Sequence, residues 1–262
     1  MHKPQLSVLA VAALAVSLTA CAKDDEPTTE TESGVKVVEE GVLTICTHLP
    51  YEPFEFTEDG EVVGFDIDVL NIAAEAEGLE TEVVDIGWET IVSGNALENG
   101  ECDVAAGAMT ITPEREAVMD FSDPYFEATQ ALLAPVGSGF ESLEDLAGKR
   151  IAVQEGTTGE AYVKENLPDG AESVSYEDSV LMMEAVNNGQ ADAGVNDNGL
   201  VNYYVGQNPG VEVTTEFKTG EQYGFSVKKD DNPELLDAIN AAIADEEAYN
   251  AAYEKWFGAP AE

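Results

Sequence analysis

The residue best suited to binding chemistry in this sequence is Arg115, which lies within residues 107–125. The 262-residue chain has 11 lysines and arginines against 53 aspartates and glutamates, and its only other arginine is Arg150. A guanidinium can hold a carboxylate through two parallel hydrogen bonds. Arg115 is therefore a candidate for binding an acidic ligand group, although a surface ion pair with Glu114 or Glu116 would also explain it.

Further polar and aromatic residues follow other predicted strands. In open α/β sheets, ligands bind beyond the carboxyl ends of the strands. This rule selects four segments, residues 48–54, 107–115, 154–159 and 196–198. Because the carboxyl ends of parallel strands meet at one edge of a sheet, we expect these segments to share a site.

The side chains in these segments suit a zwitterion. The Thr110 hydroxyl and the backbone amides of Thr157 and Thr158 could join Arg115 in holding a carboxylate. An ammonium group could be received by Asp197 and by the carbonyl of Ala108, and the rings of Tyr51 and Trp88 could flank the ligand. The alternatives are that Asp197 caps the following helix and that both rings fill the core.

Alternating strand and helix patterns position these segments. Strands are predicted at residues 42–47, 81–84, 103–106, 150–153, 191–195 and 224–227, and helices at 65–77, 88–97, 142–146, 160–166, around 182–186, at 233–245 and beyond. This order predicts right-handed βαβ units and mostly parallel sheets flanked by helices. A short repeat, NGECD at 99–103 and NGQAD at 188–192, suggests two lobes of similar plan.

The N-terminus reads as a targeting segment. Lys3 precedes an apolar run at residues 6–18 that is too short to span a bilayer, and LTAC at 18–21 resembles a bacterial lipobox. We expect a signal peptide at residues 1–20, lipidation of Cys21 and an acidic tether over 21–40. An ordinary cleaved signal with an incidental cysteine is the alternative.

The other two cysteines, Cys46 and Cys102, form an even pair in an oxidising compartment, next to predicted strands of the first lobe. We predict a disulfide between them, and the alternative is two buried free thiols. Neither a metal site nor a thiol nucleophile is expected, because the only histidines are His2 and His48. A net charge of −42 argues against nucleic acid as a partner. The acidic excess is most simply a solvated surface.

Five segments together give the chain a family resemblance: YEPFEF at 51–56, GFDIDVL at 64–70, MTITPER at 109–115, DFSDPYF at 120–126 and YEKWFG at 253–258. The chain resembles the polar-amino-acid solute-binding proteins (family 3) of ABC importers from about residue 41 to 258. The resemblance implies the α/β, two-lobed, type II periplasmic-binding-protein fold with two hinge crossovers. It implies lobe 1 at 41–125 and 225–262, lobe 2 at 130–220, and hinges at 126–129 and 221–224.

The resemblance also implies the roles of the site residues. Arg115 and Thr110 would hold the α-carboxylate, Asp197 the α-ammonium, and Tyr51 and Trp88 would flank the side chain. The chain departs from some relatives at His48, in place of Asp, and at Gln154, in place of Lys. With Asn196, these neutral groups would face the ligand side chain and favour a polar or uncharged amino acid such as glutamine over arginine or lysine, with glutamate also possible.

The resemblance therefore implies a monomeric lipoprotein, without cofactor or metal, that captures an amino acid and delivers it to an ABC permease at the membrane. One alternative is an enzyme resembling cyclohexadienyl dehydratases, in which Glu55 and Glu155 would act as acid and base. Another is a ligand-sensing subunit of a signalling system. We expect the binding protein and no enzymatic activity.

Overall fold

The computed structural model describes residues 29–258. Its strands are β1 (Thr29–Glu30), β2 (Lys36–Val37), β3 (Val42–Thr47), β4 (Phe56–Glu58), β5 (Glu61–Val63), β6 (Glu80–Asp85), β7 (Val104–Ala105), β8 (Met119–Phe121), β9 (Phe126–Pro135), β10 (Arg150–Gln154), β11 (Glu172–Tyr176), β12 (Ala193–Asp197), β13 (Val211–Tyr223) and β14 (Ser226–Lys228).

The helices cover the faces of the sheets. They are α1 (Phe65–Glu77), α2 (Trp88–Val92), α3 (Asn95–Glu98), α4 (Pro113–Glu116), α5 (Thr158–Glu165), α6 (Ser179–Asn187), α7 (Asn198–Gln207), α8 (Pro233–Ala244) and α9 (Glu246–Phe257), with a 3₁₀ turn at Glu144–Leu146. The predicted helix over 88–97 is divided into α2 and α3, because Gly94 adopts a left-handed conformation (φ 75°) between them.

Two five-stranded sheets confirm the predicted α/β fold with two lobes. The first sheet has the order β6-β3-β7-β14-β8 and the second β11-β10-β12-β9-β13. In each, three neighbouring strands are parallel, and a single strand, β14 in the first sheet and β9 in the second, runs antiparallel to both of its neighbours. We call the part built on the first sheet the first lobe and the part built on the second sheet the second lobe.

The chain passes between the lobes through β9 and β13, which pattern reading did not predict as strands. They run antiparallel from the pair Phe126 and Tyr223 to the pair Pro135 and Val211, with an irregularity between Phe217 and Glu221. The chain enters the second lobe along β9 and leaves it along β13. These strands extend the predicted crossover segments far into the second sheet.

The segment before Gly41 corrects the expected tether. Residues 29–40 pack on the first lobe, where Val35 and Val37 are buried and Lys36 pairs with Asp231 at 3.1 Å. The backbone amide of Val38 donates to Asp103 at 2.7 Å. Composition suggested a tether because acids outnumber apolar residues here, yet the two valines are enough to anchor the segment.

Aromatic rings form the core beneath the crossovers. The ring of Phe54 contacts those of Phe65, Phe126, Tyr223 and Phe257 at centroid distances of 5.1–6.4 Å. The aromatic residues of α9 therefore pack against the start of β9. Their position ties the C-terminal helix to the region where the lobes join.

Cys46 on β3 and Cys102 before β7 are joined by a disulfide, with Cα atoms 5.7 Å apart. Within residues 29–258, no helix is long and apolar enough to cross a bilayer. The expected signal peptide, the Cys21 lipidation site and the start of the tether lie outside the described residues, as do residues 259–262.

Candidate ligand-binding site

A narrow cleft lies between the lobes, at the carboxyl ends of the parallel strands. The cleft is lined by His48, Tyr51, Glu55, Trp88, Gly107, Ala108, Thr110, Arg115, Gln154, Thr157, Thr158 and Asp197. The predicted site residues therefore lie together, with the exception of Asn196, and Glu55 and Gly107 join them.

Hydrogen bonds across the cleft hold the lobes in a closed arrangement. Trp88 Nε1 and Arg115 Nη2 of the first lobe each donate to the Gly156 carbonyl of the second lobe, at 3.3 Å. The Tyr51 hydroxyl donates across the cleft to Asn196 Oδ1 at 3.0 Å. Tyr51 and Trp88 thus line the cleft and also join its two sides.

Arg115 is buried, with 7% of its surface exposed. It lies in α4, which begins with Thr112 as N-cap and Pro113 in the first turn. Its Nη1 donates to the Thr110 carbonyl at 2.7 Å, and no carboxylate of the described residues lies within 4 Å of its guanidinium. The surface ion pair is therefore not the explanation of this residue.

Burial lowers the pKa of Arg115, whereas Asp197 and Glu221 act in the opposite direction. A guanidinium remains charged in proteins even so. A buried cation supported mainly by backbone carbonyls and the ring of Trp88, 5.4 Å from its guanidinium carbon, is suited to an anionic ligand group.

Asp197 ends β12 on the opposite side of the cleft and is 5% exposed. Its carboxylate accepts hydrogen bonds from Gln130 Nε2 and from the Tyr223 hydroxyl, and not from the amides of α7. Burial raises the pKa of Asp197 to about 6, and the nearby Glu221 adds to the shift. The helix-cap alternative is therefore wrong, and the carboxylate faces the cleft as a buried anion.

The loop after β7 has a strained backbone. Ala108 has a φ of 45°, and a Cβ on Gly107 would approach the Trp88 ring to 2.9 Å. Asp66, at the start of α1, holds this loop by accepting the amides of Gly107 at 3.2 Å and Ala108 at 2.9 Å. The loop can therefore pass close to Trp88 without a side chain at Gly107 in the way.

The start of α5 supplies backbone donors from the second lobe. Thr157 is the N-cap, and its hydroxyl accepts from the Glu160 amide and donates to the Gln154 carbonyl. The first amides of a helix have no intrahelical acceptor and attract anions. Since Thr157 and Thr158 line the cleft, their amides are available to the same anionic group as Arg115.

Two buried acceptors line the cleft on the first-lobe side. His48 Nδ1 lies 3.0 Å from the Ile86 carbonyl, to which it donates, and its Nε2 has no partner among the described residues. Glu55 is fully buried, and neither of its carboxyl oxygens accepts a hydrogen bond within the described chain. Burial, and then the adjacent Asp66, raises the pKa of Glu55 well above its ordinary range.

Asn196 is not among the residues that line the cleft, although it accepts the hydrogen bond that Tyr51 donates across it. It is fully buried, also accepts from the amide of Asp197, and donates from Nδ2 to Gln154 Oε1 at 3.2 Å. It therefore orients residues of the cleft, and its contact with the ligand side chain stays a prediction.

Sequence reasoning missed several groups of the site. Glu55 was considered only as a possible acid or base, and Gln130, Glu221 and Tyr223 lie on the two crossover strands that were not predicted. The position of Glu55 was a usable signal, since it directly follows the selected segment 48–54, which contains Pro50 and Pro53. The exposed Glu155 cannot pair with Glu55 as acid and base, because it does not line the cleft.

Comparisons with known proteins agree with this architecture. Residues 43–259 match the family of bacterial extracellular solute-binding proteins, family 3. A probable histidine-binding protein of Neisseria gonorrhoeae is 32% identical over 98% of this chain and 97% of its own length. The glutamine-binding protein GlnH of an ABC transporter in Bacillus subtilis is 34% identical over 75% of this chain and 73% of its own length.

Solved structures show the same likeness. An ancestral arginine-binding protein bound to arginine is 39% identical and superimposes with a TM-score of 0.77, covering 83% of this chain and 99% of its own. The same TM-score and identity apply to the ancestral protein bound to glutamine, over 84% and 99% of the two chains.

Proposed function

Because this chain belongs to family 3 of the bacterial extracellular solute-binding proteins, we propose that it captures one amino acid between its lobes for an ABC importer. The family is extracytoplasmic, and the related proteins bind amino acids and are not enzymes. Capture would occur in an open form, and closure of the lobes about β9 and β13 would then bury the ligand.

The main observation behind this proposal is that Arg115 and Asp197 lie on opposite sides of the same cleft. The guanidinium has no carboxylate partner within 4 Å among residues 29–258, and Asp197 provides a buried anion on the other lobe. The α-carboxylate of an amino acid would bind between Arg115 and the amides of α5. Its α-ammonium would bind beside Asp197 and the Ala108 carbonyl.

The ligand side chain is proposed to carry N–H donors. Glu55 and His48 Nε2 are buried acceptors without a donor in the described chain, and both line the cleft. A buried acceptor left without a donor destabilises the complex, so an amide or guanidinium is favoured over the carboxylate of glutamate. Glutamine therefore stays a candidate, and arginine becomes one, although the neutral His48 and Gln154 alone argued against it.

Delivery to a membrane permease, anchoring by lipid on Cys21 and a monomeric state belong to the same proposal. The lobe boundaries and hinges predicted from the sequence also belong to it, with the first lobe now extended to residue 29. These boundaries and hinges are supported by the passage of the chain between the two sheets along β9 and β13.

The test compares the only two arginines of the chain. We expect Arg115→Ala to weaken amino-acid binding by at least about 100-fold, because it leaves a buried carboxylate without its charged partner. Arg150→Ala is the matched control, since Arg150 is half exposed and pairs with Asp192 at the surface. Calorimetry with amino acids that stabilise the wild-type protein in a thermal-shift screen provides the measurement.

Equal binding by the Arg115→Ala and wild-type proteins would contradict the site assignment. A wild-type protein that none of the twenty amino acids stabilises would contradict the proposed ligand class.

A further inference from the structure

We propose that Glu221 is a latch that stabilises the closed form of the protein before any ligand binds. Glu221 lies on β13, immediately after the irregularity in its pairing with β9, where the chain leaves the second lobe. It does not line the cleft, and its role is therefore distinct from ligand contact. This inference rests on the proposed function, because a latch has meaning only in a protein that opens and closes.

One carboxylate oxygen of Glu221 joins the two lobes. Its Oε2 accepts from the Thr110 hydroxyl at 3.0 Å and from the Thr158 hydroxyl at 2.7 Å. Thr110 follows β7 in the first lobe, and Thr158 begins α5 in the second. Opening the cleft separates these two hydroxyls, so at least one hydrogen bond to the charged carboxylate must break.

The position of Glu221 is maintained from the neighbouring crossover strand. Gln130 on β9 donates from Nε2 to both oxygens of Glu221, at 3.1 and 3.2 Å. The same amide also donates to Asp197. The carboxylate is thus oriented from the crossover, through an amide that also contacts Asp197.

The hydroxyl protons of Thr110 and Thr158 are already used in hydrogen bonds to Glu221. A hydroxyl has one proton to donate, and Thr110 and Thr158 direct theirs at Glu221. In the closed form, these hydroxyls therefore cannot donate to a ligand carboxylate, which is left to Arg115 and the backbone amides. This changes the role predicted for the Thr110 hydroxyl from ligand donor to lobe contact.

Glu221 also does not occupy the position that we propose for the ligand carboxylate. Neither of its oxygens lies within 4 Å of the Arg115 guanidinium, whose donors remain available. The latch and the ligand carboxylate therefore act on separate donors and stabilise the same closed form. Without the latch, the ligand-bound protein should open more often, so the ligand should leave faster and the affinity should be equal or weaker, never stronger.

The experiment uses Glu221→Ala and the isosteric Glu221→Gln in the full protein. Glu216→Gln is the matched control, because Glu216 lies on the same strand but its donors, Thr129 and Asn202, belong to the second lobe alone. Solution X-ray scattering without ligand should show a larger radius of gyration for both Glu221 variants and no change for the control. Circular dichroism verifies that each variant is folded.

Stopped-flow binding of the amino acid that stabilises the wild-type protein gives the second readout. We expect dissociation from Glu221→Ala to be roughly tenfold faster, with a smaller increase for Glu221→Gln, whose amide oxygen can still accept one hydroxyl. Association should become faster, since the ligand enters through the open form and the variants populate that form more.

Unchanged scattering and dissociation in both Glu221 variants would overturn the latch. Tighter binding by these variants would also overturn it, because Glu221 would then compete with the ligand. Failure of the wild-type protein to bind any amino acid would refute the proposed function instead, while scattering of the ligand-free proteins would still decide the latch.

Discussion

At the scale of single residues, the cleft depends on buried groups that the rest of the chain leaves partly unsatisfied. Arg115 lacks a carboxylate within 4 Å in the described chain, and Glu55 and His48 Nε2 lack donors there. Such groups reduce the stability of a protein unless something supplies their partners. A single amino acid with an N–H-bearing side chain would satisfy all of them, which is why we connect them with binding.

Glu55 gives the sharpest test of ligand class. We expect Glu55→Ala to weaken binding by at least about tenfold, because the ligand side chain loses a buried acceptor. Glu55→Gln keeps the shape and one acceptor oxygen. It should preserve binding of glutamine within about threefold and weaken binding of arginine by more than tenfold, since a guanidinium also uses the carboxylate charge. Calorimetry with both amino acids measures the difference.

The control for this prediction is Glu155→Ala, which removes an exposed carboxylate outside the cleft and should leave affinity unchanged. If Glu55→Ala bound every amino acid as the wild-type protein does, Glu55 would have no part in recognition.

At the scale of secondary-structure elements, a short sequence repeat corresponds to the same local structure in both lobes. Asp103 accepts the amide of Thr44 at 2.8 Å and donates its own amide to the Thr44 carbonyl at 2.9 Å. Asp192 makes the same pair of bonds with Arg150, both at 2.9 Å. Each aspartate thus joins the central strand of its sheet, which it precedes, to the neighbouring parallel strand, and the two lobes share this local structure.

The N-terminal segment provides an element-scale prediction. Val37 is 2% exposed against the first lobe, so Val37→Ala should destabilise the protein by about 1–3 kcal/mol. Val136→Ala is the matched control, because Val136 is 58% exposed and its truncation should cost less than about 0.5 kcal/mol. Urea unfolding of the two variants gives both values. If Val37→Ala were as stable as the wild-type protein, residues 29–40 would again be interpreted as a tether.

At the scale of the whole molecule, the large negative charge and the buried carboxyl groups both make the folded protein less stable as the pH rises. The chain carries a net charge of −42, which repels itself in the compact state. Burial raises the pKa of Asp103 and of Asp197 to about 6 in the folded protein, above the ordinary value of about 4. For such groups, the contribution to stability is fully present below about pH 4 and is lost as the pH rises through about 6.

We therefore predict that the ligand-free protein is more stable at pH 5 than at pH 8, with an unfolding temperature higher by roughly 5 °C. Groups with lowered pKa values, such as Asp120 and Glu160, lose their contribution only at lower pH. Calorimetric unfolding measures the difference. As a control, 1 M NaCl should reduce the difference without abolishing it, because salt screens the surface more than the interior. Greater stability at pH 8 would contradict the prediction.

What the sequence by itself determined is the set of locally encoded features. The predicted bounds of β3 and α1 agree with the structure, because a run of β-branched residues and an apolar helical period depend on neighbours only a few positions away. The strand-end rule also placed Arg115 and Asp197 at one cleft, since parallel strands expose their carboxyl ends at one edge. The family resemblance was evident from the five motifs.

Only the tertiary structure decided which side chains face the ligand and how the lobes are joined. Asn196 lies behind the cleft lining and contacts Tyr51 and Gln154, whereas Glu55, one residue beyond the selected segment 48–54, is buried in the cleft. Strands β9 and β13 are stabilised by each other across about 80 residues of chain, so neither carries a sufficient local signal. The contacts of Glu221 arise only when those strands pair and the lobes close, because Thr110 and Thr158 belong to different lobes.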